Sequence, residues 1–145
     1  MSDPRLYPDR PFLAVSAAII RGDRVLVACR ARGASTGVFT LPGGVVEAGE
    51  KLEEALLREV MEETGIAITP VGLAGYREHI EREDDGRIKR HFVILPFACR
   101  WVSGDGVPAL EELSELRWLR RPELSGLKTT PGLGEIVDQA FRMIG

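Results

Sequence analysis

Residues 44–66, GVVEAGEKLEEALLREVMEETGI, decide the fold, because they set a glycine-rich turn directly ahead of an amphipathic helix carrying three carboxylates on one arc. Advancing about 100° per residue from Leu52 places Glu59, Glu62 and Glu63 at about 340°, 280° and 20°. In an isolated helix these charges, three and four residues apart, only repel one another. A bound dication reverses that sign. An all-oxygen set suits Mg²⁺ or Mn²⁺, whereas Zn²⁺ more usually calls on His or Cys, which this segment lacks. Ala55 lies on the same arc, and its small side chain is expected to leave room for an ion and its phosphates. Leu56, Leu57, Val60 and Met61 span about 40° to 180°, an apolar stripe expected to dock the helix on a sheet. The helix is expected over 51–64, with Gly49 and Glu50 at its start and Gly65 just past its end, where a glycine is favoured. Arg58, four residues after Glu54 and next to Glu59, is placed to neutralise or orient a carboxylate.

This segment resembles the Nudix box, Gly-x5-Glu-x7-Arg-Glu-U-x-Glu-Glu-x-Gly-U, where U is a bulky apolar residue. Gly44, Glu50, Arg58, Glu59, Glu62, Glu63 and Gly65 fill the identity positions, and Val60 and Ile66 the apolar ones. At ordinary residue usage such a match arises by chance with a probability on the order of 10⁻⁸ per starting point. The resemblance implies hydrolysis of a phosphoric anhydride bond in a nucleoside diphosphate linked to another group, such as ADP-ribose, or in a nucleoside triphosphate. It implies Glu59, Glu62, Glu63 and the Gly44 carbonyl as ligands of Mg²⁺ or Mn²⁺, with Glu50 and Arg58 holding loop and helix in register. Arg58 is also counted among the catalytic candidates. The general base is either Glu59 or an acid on a distant loop; of Glu111, Glu112 and Glu115, Glu112 is favoured. The alternative reading is a catalytically silent nucleotide-binding regulator, which would be expected to lose metal ligands that are all present here.

Composition narrows the partners. The chain has 145 residues, 44% of them apolar and 28% charged, and a net charge of −3. One domain is expected over 12–145, preceded by an extension over 1–11 that serves as a tail or a strand-edge cover. Scattered cations give no basic stripe for a long nucleic acid, and the apolar run 12–20 is far too short to span a bilayer. The expected partner is a small nucleotide, with room for a homodimer. Cys29 and Cys99, without Cys-x-x-Cys spacing, read as buried core thiols in a reducing cytoplasm.

Runs at 12–20 and 25–30 read as a hairpin, 31–40 as a loop, 66–80 and 88–102 as paired strands around a charged turn at 81–87, 103–114 as a loop and 116–119 as a short strand. A terminal helix over 132–144 would bury Ile136, Val137, Ala140, Phe141 and Ile144. Strands interrupted by one helix and closed by another imply a mixed β-sheet between helices, an α/β/α sandwich. For the substrate, Arg30, Arg32, Arg77 and Lys89 are candidate phosphate binders, and Phe39, Tyr76 and Trp118 candidate stacking residues. His79 and His91 read as structural. The submotifs of coenzyme A, ADP-ribose and dinucleoside-polyphosphate hydrolases are not matched: Ala28 and Gly33 stand where the coenzyme A pattern has arginines, and Glu81-Arg82-Glu83 where the others have proline or tyrosine.

Overall fold

A computed structural model describes residues 4–31 and 36–145. Its spine is a parallel pair, β1 (Phe12–Arg21) beside β7 (Ile88–Ser103), in register from Phe12 opposite Phe92 to Ile20 opposite Arg100. Each spine strand outlasts its neighbours and is shared between two of them. β1 pairs at one end with β2 (Arg24–Arg30) and at the other with β4 (Gly43–Val45). β7 pairs along one half with β5 (Ala67–Leu73) and along the other with β6 (Arg77–Arg82). β3 (Phe39–Thr40) and β8 (Leu113–Arg120) both pair with β2. Where β2 and β4 part from β1, the sheet opens a cleft.

The expected sandwich is present. β1 is apolar on both faces, as a strand covered on both sides requires. Val15, Ala17 and Ile19 pack with Ala55, Leu56 and Val60 of α1 (Leu52–Thr64). Ala18 and Ile20 face Leu133, Val137 and Ala140 of α2 (Leu133–Ile144). On α2 the expected Ile136, Phe141 and Ile144 are partly buried against the same core. Cys29 and Cys99 are buried free thiols, and burial pushes Cys99 up to about 12.

The helix α1 corrects its sequence reading in two ways. Leu57 and Met61, expected in the docking stripe, are 44% and 50% exposed, and Ala55, expected beside an ion, is in the core. The buried arc is therefore centred nearer 40° than 110°, and it takes in Glu63 and Thr64. The acidic and apolar faces overlap at Glu63 instead of standing back to back. Other differences are of length. The run at 66–80 is two strands meeting one long partner, while β3 and β4 are too short to leave an alternating pattern. The 3-10 helix Arg121–Gly126 was not expected. Of the N-terminal extension, the described part lies on the β6–β7 hairpin, where the Tyr7 N–H donates to the Lys89 carbonyl and its hydroxyl to Glu83.

Candidate active site

α1 is fixed at both ends by local chemistry. The Glu54 carboxylate accepts the Lys51 N–H at 3.0 Å, and Gly65, at φ 70°, turns the chain out of the helix with its N–H on the Met61 carbonyl. The turn before α1 is held to it by Arg58. Its Nε and Nη2 donate to the two oxygens of Glu50 at 2.7 and 2.8 Å, Nη1 donates to Glu59 at 2.8 Å and to Glu62 at 3.4 Å, and Nη2 also reaches the Val45 carbonyl at 3.3 Å. Those hydrogen bonds, with one from the Glu47 N–H, hold Glu50 down to about 2.

Glycine is required where α1 meets β4. A Cβ on Gly44 would run into the Glu59 carboxylate, and one on Gly43 into the Val15 carbonyl of β1. The Gly43 N–H donates to Glu63 Oε1 at 2.8 Å. Glu63 is only 2% exposed, and its Oε2 accepts no hydrogen bond from the described residues; Arg30 Nη1 stands 3.6 Å away. Burial drives Glu63 up to about 8 against Arg30 and the Gly43 N–H, and the neighbouring Glu112 adds to the rise. Burial also raises Glu59, opposed by Arg58.

All these groups open on a groove of about 500 Å³ that also takes in Arg77 and His79 of β6 and Phe92 of β7. Glu59, Glu62, Glu63, Gly44, Glu111, Glu112, Arg30 and Arg77 line it. Arg32 lies outside the described residues. Several expectations are corrected. Phe39 is buried in the core under the Arg117 guanidinium and does not face the groove. Tyr76 is 70% exposed, Trp118 packs against the core on the α1 side, and Glu115 is half-buried and paired with Arg117. His79, read as structural, is instead a groove residue, as are Phe92 and Arg5. Their signal was absent from the sequence, because only the register of β6 and β7 brings His79 and Phe92 to the cleft face, and Arg5 precedes the first strand.

The donor set fits a hard divalent cation. Among the described residues no three acidic, imidazole or thiol groups are gathered as a closed shell, since Arg58 draws Glu59 and Glu62. Even so, the buried Glu63 oxygen without a donor, the Cβ-free approach at Gly44 and the all-oxygen chemistry match an ion such as Mg²⁺.

Residues 10–140 match the NUDIX domain family. This chain belongs to the Nudix hydrolase family. The Nudix chain is 38% identical over 101 residues to an ADP-ribose pyrophosphatase of Methanocaldococcus jannaschii, covering 70% of this chain and 57% of that one. It is 34% identical over 138 residues to the NAD-capped RNA hydrolase NudC of Stutzerimonas stutzeri, covering 95% of this chain and 45% of that one. It thus spans about half the length of these curated relatives. A crystal structure of a MutT Nudix hydrolase from Burkholderia pseudomallei superposes with a TM-score of 0.79 at 29% identity, covering 90% of this chain and 98% of that one.

Proposed function

We propose that this Nudix protein hydrolyses the phosphoric anhydride bond of a nucleoside diphosphate linked to another group, with ADP-ribose as the first substrate to test. One observation carries the reading: Glu59, Glu62, Glu63 and Glu112, from a helix and a distant loop, open together on one groove beside Gly43 and Gly44. ADP-ribose is chosen because the Methanocaldococcus jannaschii relative bears that activity in its name.

Glu59, Glu62, Glu63 and the Gly44 carbonyl would hold Mg²⁺ or Mn²⁺, which supplies neutralisation of the diphosphate and a more acidic water. Arg58 is a positioning residue, since its contacts are with carboxylates and the turn. Arg30 offsets the Glu63 charge beneath the substrate. Glu112 is the better base: Glu59 is tied by Arg58 and pressed against Gly44, whereas Glu112 stands across the groove next to Glu63. Its carboxylate takes a proton from the water whose oxygen bonds to phosphorus as the anhydride P–O bond breaks. Among the described residues no helix is long and apolar enough to cross a membrane. Two buried free thiols favour a reducing cytoplasm.

The test is phosphate or nucleotide release from a panel of nucleoside diphosphate derivatives and nucleoside triphosphates, with Mg²⁺ and after exhaustive chelation. Turnover of at least one anhydride, abolished by EDTA and restored by Mg²⁺, is expected. Binding without turnover across the panel would turn the reading to a silent regulator.

A further inference from the structure

The groove carries charges of both signs. Glu59, Glu62 and Glu63 of α1 line it together with Glu111 and Glu112, with Arg30 the cation beside Glu63, and Arg77 of β6 and Arg5 of the N-terminal segment line it as well. A single row of the sheet runs from β4 to β6: Val45 of β4 opposes Ala14 of β1, Ala14 opposes Ile94 of β7, and Ile94 opposes Arg77 of β6. Three strand spacings separate Val45 from Arg77 by about 14 Å. An arginine side chain reaching back along that row leaves room for a single sugar-sized unit between its guanidinium and a diphosphate at the carboxylate end.

Arg77 differs from the paired cations of its hairpin. Lys89 and Arg90 both reach Glu81, Arg90 at 2.9 Å, and Arg87 holds Asp85 at 2.9 Å. Arg77 is half-buried on the groove face, and among the described residues no carboxylate lies within ion-pair distance of it. Burial alone perturbs it, and it lowers its affinity for a proton. The carboxylates on neighbouring strand positions are spoken for or point away, since Glu78 alternates to the exposed face. Next to it His79, whose affinity for a proton is lowered chiefly by burial and then by Arg77, forms with Phe92, at a ring separation of 6.5 Å, an aromatic floor. A guanidinium taken partly out of water without an anion is a cost to the fold that a ligand anion would offset.

We propose that Arg77 is a specificity-determining residue, and that the substrate class is a nucleoside diphosphate derivative carrying a further anionic group, a phosphate or a carboxylate, about one sugar's length from the scissile diphosphate. The proposal rests on the hydrolase reading of the same groove, which Arg5 also lines.

The test separates binding from turnover. Calorimetry in EDTA measures the affinities of two matched pairs, ADP-ribose against ADP-ribose 2′-phosphate and UDP-glucose against UDP-glucuronate, for the wild-type protein, Arg77→Gln and Arg77→Lys. At least one charged member should bind tenfold or more tighter than its uncharged counterpart; Arg77→Gln should erase that preference, Arg77→Lys keep part of it, and Arg5→Gln reduce it less. Equal affinity within both pairs, or a preference that survives Arg77→Gln, overturns the proposal. Because these are equilibrium measurements without metal, a preference can stand even if no panel substrate is hydrolysed, and hydrolysis can stand if the preference is absent.

Discussion

Folding carries Glu63 into the interior with one oxygen facing Arg30 and no donor, so its charge is held in place by the rest of the fold. Its folded-state pKa, about 8, lies above the ordinary 4.5, so the folded chain retains a proton that the unfolded chain has lost. The contribution of Glu63 to the stability of the metal-free protein therefore falls as pH rises from about 4.5 to about 8, the reverse of a salt-bridged acid. Melting in EDTA at about pH 5 and about pH 8 should show this fall in the wild type and a much smaller one in Glu63→Gln. Glu63→Gln should also melt higher than wild type at the upper pH while losing a hundredfold or more in turnover, about 3 kcal/mol of transition-state stabilisation. A metal-free melting point well below wild type would make Glu63 a structural acid instead. Glu50 carries the opposite sign: held near 2 by Arg58, it contributes stability above about pH 4.5 that is lost as pH falls toward 2. The two candidate bases separate by kinetics. Glu112→Gln should lower kcat steeply with Mg²⁺ affinity scarcely changed, since a base acts in the transition state. Near-normal turnover there, alongside collapse in Glu59→Gln, would move the base to the helix.

At the scale of elements, the junction of β4 with α1 gives two neighbouring glycines different jobs. Gly43→Ala drives a methyl into the backbone of β1, which cannot yield, and should cost about 3 kcal/mol of stability in a denaturant titration. Gly44→Ala meets only the end of the Glu59 side chain, which can swing, so its stability should be near normal while turnover drops sharply. Equal stability losses in both variants would show that Gly44, too, is a packing glycine. The box was legible because its spacing is fixed by helix geometry: three acids at set intervals, an arginine beside them and a glycine at each end. What the pattern could not show is where the buried arc begins. Leu57 and Met61 are as apolar as Leu56 and Val60, and only docking against β1, which also buries Glu63, decides which pair faces inward. Phe39 illustrates the same limit, since an aromatic in a short strand carries no mark of which side of the sheet it will take.

The whole molecule assembles its site from segments that are distant along the chain, and two sets of contacts, besides the hydrogen bond from the Ala31 N–H to the Glu112 carbonyl at 3.0 Å, hold the loop bearing Glu112 to the rest. One ties it to α1: the Val107 N–H donates to the Thr64 carbonyl and the Ala109 N–H to the Glu63 carbonyl. The other is a clamp across the sheet, in which the Arg21 guanidinium lies 3.9 Å from the Trp101 ring centre and 5.4 Å from that of Trp118 and bonds Asp105 at 3.1 Å. The indole N–H of Trp101 donates to the Gly104 carbonyl and that of Trp118 to the Asp105 carbonyl. None of this was readable from the loop, whose composition announces only a turn; its partners lie on β1, β7 and β8. The clamp holds the loop where it leaves β7, and this hold is expected to reach Glu112 at the loop's far end. Arg21→Ala removes the cation–π contact and the Asp105 ion pair without touching the groove. Exposed interactions of that kind contribute little to global stability, about 1 kcal/mol or less. The expected signature is a kcat lowered roughly tenfold, about 1.4 kcal/mol, with KM and melting temperature nearly unchanged, faster amide exchange confined to 104–112, and partial recovery in Arg21→Lys, which keeps the charge over the rings. Unchanged kcat with faster exchange would mean that the α1 contacts and the Ala31 hydrogen bond suffice to place Glu112.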